Sequence, residues 1–170
     1  MKLPPDLTCT DIATPLGPLR LAASARGLAG VWFEDQRHAP PAVLMARWQS
    51  DPAHPVLQQA SHALARYFEG EAAPFDLPLD LSHGTPFQQR VWQGLLAIAR
   101  GRTSSYGELA TRIGHAGAVR AVGAAVGRNP LSIVVPCHRV VGSGGALTGY
   151  AGGLPRKAAL LQLEAGHLPP

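Results

Sequence analysis

A chain of 170 residues, 46% of them hydrophobic, is long enough to fill one ordinary core or two small ones. Its apolar runs are broken by Arg, Gly or Pro well short of the roughly 18 residues of a membrane span, and "MKLPPDLTCTD" lacks the apolar stretch of a secretory signal, so a cytoplasmic protein is expected. The formal charge of +4 is unevenly spread: from Leu81 onward lie nine of the 15 basic residues but only Glu108 and Glu164 of the 11 acidic ones, which favours a polyanionic partner.

"PLGPLRLAASARGLAGVWF" alternates apolar positions at Leu19, Leu21 and Ala23, then Leu28, Val31 and Phe33, around an "ARG" turn, the pattern of a β-hairpin. In "HPVLQQASHALARYFEG", Val56, Leu57, Ala60, Leu64, Tyr67 and Phe68 recur at helical spacing, and Gly70 supplies a stop. A short strand is predicted in "FDLPLDL", ahead of a break at Ser82, His83 and Gly84. The fold class is therefore α+β. Residues 1–81 form a small domain of hairpin sheet plus helix, and residues 82–170 a mostly helical domain.

"TPFQQRVWQGLLAIA" opens a helix with Thr85 as N-cap, Pro86 at the first helical position and Gln88 completing a capping box; Val91, Trp92, Leu95, Leu96 and Ile98 form its buried face. "SSYGELATRIG" begins a second helix at Ser105, with Glu108 reaching back, and ends at Gly114. "AVRAVGAAVG" follows after "HAG". Two short helices around a glycine-containing turn make a helix-turn-helix pattern. Ala121, Gly123, Ala124, Ala125 and Gly127 leave the second helix nearly bald, poorly equipped to hydrogen-bond base edges in the major groove. Such a helix suits the minor groove, with Arg112, Arg120 and Arg128 available for phosphates or insertion. The same small residues also suit tight packing in a core.

Two cysteines, Cys9 and Cys137, are too few for a disulfide framework. Cys9 has no near partner of metal-ligand spacing and reads as a structural thiol; no metal and no cofactor are expected. Cys137 ends the apolar run "SIVVPCHRVVG", read as a strand interrupted by Pro136. Burial there raises a thiol's pKa and makes it inert, whereas His138 and Arg139 beside it favour thiolate. Neighbours in an extended chain point to opposite faces, so contact between Cys137 and His138 would require a bridging water. Glu164, in the terminal helix "RKAALLQLEAG", could orient His138; an exposed helix carboxylate is the plainer reading.

In sequence, a basic helix-turn-helix with a bald second helix, "RNP", "IVVPCHRVVG", "GYAGG" and a terminal helix resemble the O6-alkylguanine-DNA alkyltransferases over about Gly84 to Gly166. "TPLGPL" agrees more loosely in the first half. The resemblance implies stoichiometric repair of duplex DNA carrying O6-alkylguanine, with O4-alkylthymine left open, by a monomer that needs no membrane. Cys137 would keep the alkyl group irreversibly as a thioether, helped by a water-bridged relay through His138 to Glu164. Asn129 would tie the recognition helix to the thiol segment. Tyr106 would donate a proton toward guanine N3.

By the same resemblance Arg120 would fill the stack vacated by a flipped nucleotide, at an unstacking cost of a few kcal/mol. Ala121, Gly123, Arg112 and Arg128 would meet DNA. Tyr150 would wall the base pocket, the Val140 carbonyl would read the guanine amino group, and Ala151, serine in some relatives, would offer only its backbone donor. No cysteine-rich regulatory module precedes the domain, so a stand-alone repair protein is expected. A lesion sensor is disfavoured because Cys137 stands where such proteins carry tryptophan. A transcription factor would need a better-equipped second helix, and a Cys-His hydrolase a less adjacent pair.

Overall fold

The computed structural model describes residues 3–166; the outermost residues of the two expected domains, 1–2 and 167–170, lie outside them. A four-stranded sheet comes first, built from β1 (Thr8–Ile12), β2 (Leu19–Ser24), β3 (Gly27–Phe33) and β4 (Gln49–Ser50), in the order β3-β2-β1-β4. The hairpin of β2 and β3 is as expected, with Leu19 opposite Phe33 and Ser24 opposite Gly27. The β1 strand and its short parallel partner β4 were not anticipated. A four-residue helix, α1 (Ala42–Met45), leads into β4.

One face of the sheet carries Leu19, Leu21, Leu28, Val31 and Phe33 into the main core, under α2 (Pro55–Phe68), which buries Leu57, Ala60, Leu64 and Tyr67. The other face holds a smaller cluster of Leu7, Cys9, Ala22, Ala29, Trp32 and Trp48, where the two indoles stack at 5.8 Å. Trp32 folds back over Gly30 so closely that a β-carbon there would lie 1.7 Å from its ring. Cys9 is thus a core residue of the sheet.

Residues 75–81 are not the strand the sequence predicted. Only Leu79 bridges, to Leu28, through Leu28 N to Pro78 O at 2.7 Å and Asp80 N to Leu28 O at 2.8 Å. Pro78 lacks an amide hydrogen, which prevents a longer ladder.

The C-terminal part consists of α3 (Pro86–Leu96), α4 (Tyr106–Arg112), α5 (Val119–Gly127) and α6 (Leu154–Glu164), with β5 (Ser104–Ser105) running parallel to β6 (Val140–Val141). Both capping boxes form, Thr85 with Gln88 and Ser105 with Glu108. Gly114 ends the α4 turn at φ 76°, a conformation that costs glycine little. Trp92 of α3 is buried and donates its indole N–H to Ala125 O at 2.9 Å, which locks α3 to α5. Leu96, expected on the buried face, is 45% exposed; the helix ends there, and the chain turns Ile98 inward instead. No helix among the described residues is long and apolar enough to cross a membrane.

Candidate active site

The segment from Leu131 to Pro136 is a run of turns, which corrects the predicted strand. Ile133 sits at φ 72°, a conformation that a β-branched residue adopts only under constraint. The constraint is Asn129, which follows α5. Its oxygen accepts Leu131 N at 3.0 Å, and its amide nitrogen donates to Val135 O at 2.8 Å and to Cys137 Sγ at 3.0 Å. The free edge of β3 grips the same segment, with Val31 N bonded to Pro130 O and Ser132 N to Val31 O.

Cys137, His138 and Arg139 form one turn of 3-10 helix, with Cys137 and His138 buried. They therefore do not alternate as in a strand, and no hydrogen bond joins the thiol to the imidazole. Burial pushes the Cys137 thiol up; the Asn129 amide and the Lys157 ammonium act in the opposite sense. Burial pushes His138 down, which favours the neutral ring at pH 7. Its Nε2 meets Glu164 Oε1 at 2.8 Å, and its buried Nδ1 has no partner among the described residues. A neutral ring that donates through Nε2 leaves Nδ1 as a free base.

Glu164 has a fully buried side chain rather than an exposed one. Its oxygens also receive both edges of the Arg139 guanidinium at 2.8 Å, the Tyr67 hydroxyl at 2.9 Å and Gly101 N at 3.3 Å. Burial alone would raise its pKa, but the bonds from His138 and Arg139 hold it well below the ordinary carboxylate range. The charge of Arg139 balances Glu164, so His138 need not be protonated to satisfy it.

Lys157 is buried, and its ammonium donates to Val140 O at 2.5 Å and Thr148 O at 2.6 Å. Val140 O keeps a second lone pair. Tyr106, half-buried, directs its hydroxyl toward Thr148 O at 3.3 Å and packs its ring beside Gly123. Tyr106, Gly123, Gly127, Gly149, Tyr150 and Ala151 line one cleft. Burial raises the hydroxyls of Tyr106 and Tyr150, and a Cys137 thiolate would raise both further, so the thiol lies within electrostatic reach of the cleft walls.

On the outer surface, Arg112, Arg120, Ala121, Ala124 and Arg128 are exposed. The one carboxylate of α4, Glu108, is engaged by the backbone at Ser105, leaving a small-residue surface edged by arginines. The site thus places two buried hydrogen-bonded groups on one turn, Cys137 with Asn129 and His138 with Glu164, with Tyr106 and Tyr150 at the cleft and the arginines outside. Sequence reasoning missed Tyr67 and Lys157 and gave Arg139 no partner. Lys157, Leu160 and Glu164 do recur at helical spacing, a signal that would have placed both charged residues on the buried stripe of α6.

Two family models match: the 6-O-methylguanine DNA methyltransferase ribonuclease-like domain over residues 7–81, and the DNA binding domain of the same family over residues 86–166. The methylated-DNA–protein-cysteine methyltransferase of Mycobacterium tuberculosis is 49% identical over 158 residues, covering 93% of this chain and 92% of that protein. The enzyme of that name from Haemophilus influenzae is 45% identical over 156 residues, covering 91% and 84%. The crystal structure of M. tuberculosis OGT in complex with DNA superposes with a TM-score of 0.86 at 48% identity, covering 94% of this chain and 93% of that one. The chain belongs to the O6-methylguanine DNA methyltransferase family and is an enzyme of that class, a DNA-binding repair methyltransferase.

Proposed function

We propose that Cys137 is the acceptor of an alkyl group taken from O6 of guanine in duplex DNA, once per molecule. The observation that carries this reading is the thiol held at 3.0 Å by Asn129 on the same turn as a neutral His138 anchored to Glu164. A water between Sγ and His138 Nδ1 takes the thiol proton to the ring. The sulfur then forms a bond to the alkyl carbon as the carbon–O6 bond breaks, and the electron pair leaves with guanine. Tyr106 and solvent return a proton to the base, while His138 releases its own. The product thioether has no labile bond, so the protein is consumed.

A buried thiol cannot reach a base inside a duplex, which supports extrusion of the nucleotide into the cleft of Tyr106, Gly123, Tyr150 and Ala151. The bald, arginine-edged face of α5 supports approach through the minor groove, with Arg120 taking the vacated place in the stack. The free carbonyl lone pair of Val140 serves the guanine amino group. One chain carries acceptor, relay and DNA face together, which supports action as a monomer, and a thiol acceptor favours the reducing cytoplasm.

The test is to mix protein with an equal amount of duplex bearing one O6-methylguanine and weigh the peptide containing Cys137. A gain of one methylene, lost in Cys137→Ala while DNA binding persists, is the expected result; an unchanged mass would overturn the reading.

A further inference from the structure

The loop that follows β3, Asp35 to His38, belongs to the N-terminal sheet domain yet is fastened to the C-terminal part at three successive residues. Asp35 pairs with Arg156 of α6 at 2.6 Å. Gln36, buried, accepts both Phe33 N and the Ser132 hydroxyl, the latter at 2.8 Å. Arg37 N donates to Ala151 O at 3.0 Å, on the wall of the cleft. His38 then takes φ 60°, an uncommon conformation for a residue other than glycine.

Three clamps and an unusual backbone turn fix the backbone of Arg37 and His38 beside the cleft that both residues line with Tyr106, Gly123, Tyr150 and Ala151. Both residues are exposed, and among the described residues the Arg37 guanidinium has no ion pair or hydrogen bond. Asp35, the nearest carboxylate in sequence with a defined partner, is already engaged by Arg156. Among the described residues no carboxylate lines this cleft, although Asp35 lines the depression adjoining it; on the other side His38 shares a further depression with Arg128 at the end of α5. A cation whose backbone is fastened at the mouth of a cleft, and whose side chain has no partner among the described residues, fits an external anion better than it fits the fold.

We propose that Arg37, with His38 beside it, forms a phosphate subsite contributed by the N-terminal domain, which binds a backbone phosphate of the DNA strand whose nucleotide enters the cleft. This rests on the proposed function, because it needs that strand to pass over the cleft. It gives the N-terminal domain a part in holding the substrate as well as bracing the thiol loop. Arginine suits the task, since its planar fork meets two phosphate oxygens at once.

The experiment measures affinity for a duplex carrying one O6-methylguanine across a range of salt concentrations, with Cys137→Ala in every protein so that binding alone is read. Arg37→Ala should reduce the slope of log affinity against log salt by about 0.9, the contribution of one phosphate contact. Arg37→Lys should restore most of the slope, since a point charge suffices for counterion release. Arg26→Ala makes the same change in net charge at the far end of β3, roughly 20 Å away along the strand, and should leave the slope as it was. An Arg37→Ala slope equal to that of the parent, or an Arg26→Ala slope reduced as much, would overturn the subsite while leaving the proposed function intact. A parent protein with no salt-dependent affinity for the duplex would remove both.

Discussion

The Asn129 amide nitrogen lies 3.0 Å from Cys137 Sγ while the oxygen of the same side chain accepts the Leu131 amide at 3.0 Å. One side chain therefore folds the thiol loop and presents a hydrogen-bond donor to the thiol. Asn129→Ala removes both functions. It leaves the Leu131 amide unpaired in the core, which should cost about 1–3 kcal/mol in unfolding free energy, while the Val135 carbonyl keeps the Cys137 N–H at 2.8 Å. Methyl transfer to Cys137 should slow by at least about tenfold, the rate equivalent of 1.4 kcal/mol. Denaturant melts and single-turnover rates check the two effects separately.

Lys157 joins the carbonyls of Val140 and Thr148 from inside the protein. Lys157→Met keeps the length of the side chain but leaves the buried Val140 carbonyl without its donor, at about 2 kcal/mol. It also removes a positive charge that favours the Cys137 thiolate. The pH profile of Cys137 alkylation by iodoacetamide should therefore move to higher pH. A profile that stays in place would show that the ammonium acts on the loop alone.

Glu164 accepts hydrogen bonds from His138, Arg139 and Tyr67. Glu164→Gln removes the negative partner of a largely buried arginine, and breaking such a pair from one side costs about 3–5 kcal/mol. Tyr67→Phe removes one neutral donor and should cost about 1 kcal/mol. Methyl transfer should fall in the same order, strongly for Glu164→Gln and mildly for Tyr67→Phe, as read from the rate of gain in Cys137 peptide mass.

Asp80 receives the hydroxyls of Ser24 and Ser82 at 2.6 Å and the Ser82 amide at 3.0 Å. Burial alone would raise its pKa, but these bonds lower it from 3.8 to about 2. A carboxylate depressed in the folded state stabilises above its unfolded value and loses that contribution as pH falls through the folded one. Between about pH 4 and pH 2 the protein should lose about 2 kcal/mol from this group. Asp80→Asn should flatten that part of the curve of stability against pH, measured by urea melts.

The elements legible in the sequence were those set by local rules. The β2–β3 hairpin, α2, and both capping boxes rest on alternation, helical spacing and side chains three residues apart. The thiol loop was read as a strand because Ile133, Val134 and Val135 are strand formers; Asn129 and the edge of β3 overrule that preference through contacts that spacing does not reveal. The segment 75–81 failed for a related reason, since its alternation is real but Pro78 limits it to one bridge. Within the site, Cys137 and His138 stood out by adjacency. Tyr67 reaches Glu164 across 97 residues of sequence, and no local pattern marks such a partner.

The edge strand β3 has a consequence for solubility. "GLAGVWF" is an uncharged, apolar strand at the rim of the sheet, the kind of edge along which chains add to one another. Here it is covered by two short bridges, to Leu79 and to Leu131, and the second belongs to the loop that carries the thiol. The thiol loop thus also shields the sheet from self-association, and a substitution that loosens residues 130–132 should draw the chain into aggregates.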